Sequence, residues 1–138
     1  MVLKVLAYIT RQHQGQTQLL VFDHRHHSEA GTQVPAGTVE PGEPIETALW
    51  REIEEEAGVL PAQLNLVRKL AEYESAEWGT IRHIFHLRTA VELPDVWTQT
   101  VQGAGEDKGF VFNYYWLDLR PGLILAGNQH MWLNLISN

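Results

Sequence analysis

Glu52, Glu55 and Glu56 lie within a stretch bracketed by helix punctuation. Pro44 suits a first helical position, where a missing N–H costs nothing. Gly58 suits the left-handed position just past a helix end, so residues 44–57 are expected to be helical. At about 100° per residue, with Ile45 as zero, Leu49 falls at about +40°, Ile53 at about +80° and Ala48 at about −60°. That is the stripe to be buried. Glu52 falls at about −20° and Glu56 at about +20°, inside the stripe, with Glu55 at its edge and Glu54 facing solvent. Burying an unpaired carboxylate is costly. The three glutamates also repel one another at helical spacing, and the helix dipole disfavours negative charge in this C-terminal half. Arg51 is the one cation nearby in sequence. A bound divalent cation resolves all three conflicts, and donors made only of oxygen point to magnesium, or manganese as its substitute. A solvated acidic face is the plainer reading of a bare Glu-x-x-Glu-Glu. On the helix alone the two readings stand level.

The wider stretch separates them. Gly37, five residues, Glu43, seven residues, then Arg51-Glu52-Ile53-Glu54-Glu55-Glu56-Ala57-Gly58-Val59 resembles the Nudix box, with every fixed position filled. The resemblance implies a Nudix fold of mixed α/β (α+β) class, a mixed sheet sandwiched between α-helices. It also implies hydrolysis of a diphosphate linkage in a nucleoside diphosphate-linked compound: a nucleoside triphosphate, a dinucleoside polyphosphate, a nucleotide sugar or an RNA 5′ end. Glu52, Glu55 and Glu56, helped by a backbone carbonyl near Gly37, are then ligands of Mg²⁺. Glu43 and Arg51 pair to hold the loop against the helix. Ala36 departs mildly from the Pro-Gly-Gly that many members carry. The tyrosine that diadenosine-polyphosphate hydrolases carry beyond the box is absent: Ala76 stands there, with Tyr73 close but out of place. The same fold includes isopentenyl diphosphate isomerases, which need a catalytic cysteine that this chain lacks, and nucleotide-sensing modules, which usually have a degraded box.

Some Nudix enzymes take a general base from a loop outside the box. Glu106, in Gly103-Ala104-Gly105-Glu106-Asp107-Lys108-Gly109, is the candidate here, with Glu52 or Glu55 as the substitute and a solvated turn as the plain alternative. Arg25, in His24-Arg25-His26-His27, and Arg82, on a strand, are candidates for substrate phosphate contacts. Each has an ordinary surface role as its alternative, and zinc at the histidines is disfavoured for want of a full ligand set. His83 is expected to be a satisfied core histidine. The alternating Phe110, Phe112, Tyr114 and Trp116 are expected to be core, with Trp78 or Trp97 as candidate rings to stack on a base.

These residues must be positioned by the rest of the chain. The 138 residues are expected to form a single domain, 1–138. Strands are expected at 2–10, 16–23, 63–74, 80–89 and 110–118, with long loops at 24–42 and 92–109 and a closing helix over about 125–136. The apolar start reads as a strand and not as a signal peptide, and no run reaches the ~18 apolar residues of a membrane helix. A cytoplasmic protein, monomer or homodimer, is expected. The formal net charge of −7 disfavours general nucleic-acid coating, which draws on basic patches. A small anionic nucleotide-like partner stays compatible if cations meet its phosphates. With no cysteine, disulfides and thiolate zinc sites are excluded.

Overall fold

The computed structural model describes residues 1–136. Among them are seven strands and one α-helix: β1 (Val2–His13), β2 (Gln16–His24), β3 (Ala36–Thr38), α1 (Ile45–Ala57), β4 (Leu64–Ser75), β5 (Thr80–Thr89), β6 (Trp97–Thr100) and β7 (Val111–Asp118). They form one sheet in the order β4-β5-β1-β2-β7-β6, with β3 on β1. β1 and β5 run parallel, and the other pairs are antiparallel, so the sheet is mixed as the class requires. Gln14 and Gly15 both have positive φ. Two such residues give the tight turn whose twist matches its flanking strands.

β1 and β2 are nearly continuous apolar runs because the sheet is covered on both faces. Val5, Ala7, Ile9, Leu20, Phe22, Phe85 and Leu87 pack under α1 with Ala48, Leu49 and Ile53. Leu6, Tyr8, Leu19, Val21 and Ile84 pack on the opposite face against Leu125 and Trp132. That second cover differs from the expected closing helix over 125–136. Its regular parts are two 3-10 turns, Ala126–Asn128 and Leu133–Leu135. Gly127 and Asn128 have φ of 60° and 58°, a left-handed pair that no α-helix can run through. Tyr8 and Gln129 pin the segment down: the Tyr8 hydroxyl donates to the Gln129 carbonyl, and the Gln129 amide oxygen accepts from Val34 N–H at 2.8 Å.

Smaller differences follow from pairing at long range. Part of the expected 92–109 loop is β6, an edge strand on β7. Its Trp97 stacks on Tyr114 at 5.2 Å and donates to the Ala57 carbonyl, so it serves the end of α1 and not a ligand. Pro44 is extended and stands one residue before the helix. His83 is buried, but its Nδ1 has no hydrogen-bond partner among the described residues, and Glu72 is 3.6 Å away. The satisfied core histidine is instead His86, bonded to Thr10 Oγ1 at 2.8 Å. Burial lowers the His86 pKa to about 4, so it stays neutral.

One feature of the topology makes room for a site. One edge of β1 is taken by β5 along Val2–Thr10. The other is divided: residues from Thr10 to His13 pair with β2, and Lys4 to Leu6 pair with β3. The sheet is therefore split between β1 and β2, and the short β3 lies in the split, carrying Gly37 opposite Val5.

Candidate active site

α1 lies across the split, with Ala48, Leu49 and Ile53 buried beneath it. Glu56 is buried with them at 6% exposure, as its wheel position dictates. Its Oε1 accepts a 3.2 Å bond from the Ala36 N–H. That neutral donor does not offset the desolvation of a carboxylate. The Glu56 pKa is pushed well above its ordinary value, first by burial, then by repulsion from Glu52, Asp107 and Glu55. Glu52 is pushed up to about 7, again mainly by burial. Glu54 is exposed.

Arg51 organises the remaining carboxylates. Its Nε and Nη2 bond the two oxygens of Glu43 at 2.7 and 2.9 Å, a bidentate pair. Its Nη1 reaches Glu52 at 3.0 Å and Glu55 at 3.2 Å, and Nη2 also bonds the Thr38 carbonyl. Glu43 is accordingly held below the usual carboxylate range by the Arg51 bonds. The expected Glu43–Arg51 pairing is present, and it ties the box loop to the helix. Arg51→Ala leaves a largely buried Glu43 and two further carboxylates without their cation. The expected cost is about 2–4 kcal/mol, read by urea unfolding of the metal-free protein at neutral pH. A loss below about 0.5 kcal/mol, as for an ordinary surface change, is the result that contradicts this role.

Two glycines let backbone approach these carboxylates. A Cβ on Gly37 would collide with the Glu52 carboxylate. Gly103, at φ +94°, passes so close to Glu55 that a Cβ there would lie 2.6 Å from its carboxyl carbon. The 103–109 loop is held at that height by Gln102 N–H to the Glu55 carbonyl, 3.0 Å, and by Gly109 N–H to Val101. The loop thus closes a cleft of about 490 Å³ lined by Gly37, Arg51, Glu52, Glu55, Glu56, Glu106 and Asp107.

Glu106 and Asp107 are therefore both at the cleft, but not equivalently. Asp107 also lines the cavity in the β1–β2 split, and its charge acts on Glu52 and Glu56. Glu106 lines the outer cleft only. Arg82 lines the split cavity with Lys4, Gly37, Glu56 and Asp107. Lys4 was not singled out from the sequence. Its signal is positional: it pairs with Thr38 across β1–β3 and bonds Thr38 Oγ1 at 2.8 Å. Arg25 is exposed and lines none of these cavities. Phe112, Tyr114 and Trp116 are core, with the Tyr114 hydroxyl donating to the Glu56 carbonyl at 2.9 Å. Phe110 stands outside β7 and is exposed.

The donor set suits a hard divalent cation: carboxylates, with Glu52 and Glu56 raised in basicity, no sulfur and no obligatory imidazole. Among the described residues no three acidic or imidazole groups already converge on one point, since Arg51 holds Glu52 and Glu55. Also among them, no helix is long and apolar enough to cross a membrane.

A family model described as NUDIX domain matches residues 2–120. Among solved structures, an Ap4A hydrolase of C. elegans in a binary complex is similar at 22% identity and a TM-score of 0.65, over 98% of this chain and 94% of that one. The NUDIX domain of Shewanella oneidensis NrtR complexed with ADP ribose is similar at 16% identity and a TM-score of 0.66, over 98% and 85%. DR0079 from Deinococcus radiodurans is similar at 20% identity and a TM-score of 0.66, over 96% and 81%. No curated protein matches the chain significantly.

Proposed function

Because the chain belongs to the Nudix family, we propose that it is a Mg²⁺-dependent hydrolase of a diphosphate linkage in a nucleoside diphosphate-linked compound. The observation that carries this reading is Glu56, a buried carboxylate whose one hydrogen bond among the described residues comes from a neutral amide, set among Glu52, Glu55 and Asp107. Such an arrangement is stable only when protonated or when a cation joins it. Glu52, Glu55 and Glu56, with a backbone carbonyl near Gly37, would hold the ion, which competes with Arg51 for the first two. A bound ion supplies Lewis acidity to the phosphoryl group and lowers the pKa of nearby water.

The protein's own groups do the rest. Arg82 and Lys4 hold phosphate oxygens at the split cavity. The Asp107 carboxylate, or its neighbour Glu106, takes the proton from the attacking water. As water adds to one phosphorus, the bond to the bridging oxygen breaks and the second phosphate leaves. The neighbours support the substrate class: one is an Ap4A hydrolase and another was solved with ADP ribose.

The test is a panel of nucleoside triphosphates, dinucleoside polyphosphates and nucleotide sugars, with phosphate and nucleotide release measured in Mg²⁺ and in excess chelator. Turnover of at least one class, lost in chelator and restored by Mg²⁺ or Mn²⁺, is expected. Turnover that persists in chelator removes the metal from the reading. Binding without turnover of any compound would make the chain a nucleotide-sensing module instead.

A further inference from the structure

The split cavity, of about 210 Å³, opens into a further cleft on each side. Toward β5 and β4 it shares Lys4 and Arg82 with a cleft of about 490 Å³ walled by Tyr73, Trp78, Met131 and Trp132. Toward β2 and β7 it shares Gln33, Asp107 and Phe112 with a cleft of about 340 Å³ that adds His24, His27 and Phe110. The strand order β4-β5-β1-β2-β7 puts these clefts on opposite sides of the β1–β2 split. Both fall in the ~300–1,000 Å³ range of small-molecule sites.

Their linings differ in chemistry. The first is aromatic with a cation at its inner end. Trp78 is 75% exposed and lines the cleft with its ring open to solvent. Tyr73 packs on Trp132 at 5.5 Å, and the Arg82 guanidinium lies 5.8 Å from the Trp132 ring. Arg82 is half-buried and donates only to the Gly127 carbonyl, at 3.3 Å, with no carboxylate in ion-pair range among the described residues. A guanidinium so placed, between an acidic centre and an aromatic cleft, suits a phosphate whose attached group carries a flat ring.

The second lining mixes imidazoles, a carboxylate and an amide with one exposed ring. His24 sits in a cage formed by His27 at 4.5 Å and Phe110 at 4.6 Å. Its Nδ1 accepts from the His26 N–H at 3.3 Å, so the proton of the neutral ring resides on Nε2. That Nε2–H is buried without a partner among the described residues. Buried donors without acceptors are rare in folded proteins. An aromatic face beside several short-range donors and acceptors is the lining that a sugar needs, with its C–H face on the ring and its hydroxyls on the polar groups.

We propose that the substrate is a diphosphate substituted at both ends, with a nucleoside base in the Tyr73–Trp78–Trp132 cleft and a sugar-like polyol in the His24–His27–Phe110 cleft. A nucleoside triphosphate fills only one of the two. This rests on the hydrolase reading and selects within its substrate class.

Steady-state rates for ADP-ribose and UDP-glucose are compared with those for ATP and UTP, in wild type, Trp78→Ala and Phe110→Ala. Trp78 and Phe110 are both exposed, so neither change threatens the fold. The disubstituted compounds are expected to have a kcat/KM at least about tenfold above the triphosphates. Trp78→Ala should raise KM for both groups. Phe110→Ala should bring the ratio between them close to one. Faster hydrolysis of the triphosphates, or a ratio untouched by Phe110→Ala, overturns the proposal and leaves the hydrolase reading standing. If no compound is turned over, the hydrolase reading fails and the two-cleft proposal is read by calorimetry. ADP-ribose should bind about tenfold tighter than ADP and lose that advantage in Phe110→Ala; equal binding of the two overturns it.

Discussion

Glu56→Gln should lower turnover by about 10³-fold or more and, in the metal-free protein, raise stability instead of lowering it. The loss of rate follows from removing one ligand charge from a site whose Lewis acidity is worth several kcal/mol. The gain in stability follows from burial. Glu56 and Glu52 have pKa values raised in the folded state, the first well above its ordinary value and the second to about 7. Between about pH 4.5 and 7 the folded protein therefore binds more protons than the unfolded chain, and stability falls as pH rises through that window. Below it the stability of both groups is fully present. Glutamine carries no charge to desolvate and no repulsion toward Glu52 and Glu55. Relief of repulsion and of the helix-dipole term alone is worth about 0.5–2 kcal/mol. Melting curves in chelator at pH 5 and pH 7.5 should show the wild type losing stability at the higher pH and the variant losing less. Added Mg²⁺ should then stabilise the wild type by mass action and the variant far less. Equal Mg²⁺ shifts in the two proteins would falsify the ligand assignment.

Asp107→Asn should lower kcat by about 10²–10⁴-fold, the usual range for a lost general base, with Glu106→Gln staying within a few-fold of wild type. The two carboxylates are neighbours on one loop, yet only Asp107 reaches both the acidic cleft and the split cavity. Its charge also acts on Glu52 and Glu56, so it lies close to the carboxylates that would hold the ion. Mg²⁺ affinity should change little in Asp107→Asn. A kcat near wild type in Asp107→Asn would return the proton to Glu106 or to a carboxylate of the box. A large loss in Glu106→Gln with none in Asp107→Asn would assign it to Glu106.

The helix and its carboxylates were legible because both are local. The positions of Ile45, Leu49, Glu52, Ile53 and Glu56 on one wheel depend only on helical pitch, and the structure buries Leu49, Ile53 and Glu56 as that pitch requires. The bond from Arg51 to Glu43 joins two residues of one box, and it was implied by the resemblance to that box and not by spacing. Alternation in β7 likewise follows from the period of a strand, and it placed Phe112, Tyr114 and Trp116 in the core, while Phe110, just before the strand, is exposed. Gly127-Asn128 is a local signal too, of a break that an α-helix over 125–136 cannot contain.

What only the tertiary structure decided is where separate segments meet. Parity places Arg82 on a face of β5 but does not say which cavity that face adjoins. The answer comes from the parallel β1–β5 register, Lys4 opposite Arg82, and from the Trp132 segment folding over both. Glu106 and Asp107 have the same composition, loop and spacing. They are told apart by how the loop crosses α1 through Gln102 and Gly103. His86, and not His83, is the satisfied core histidine because its hydrogen-bond partner, Thr10, is supplied by a strand far away in sequence. Periodicity is a property of one element, so it survives in the sequence. A cavity exists between elements, and the sequence carries the register that builds it only through the packing of the whole chain.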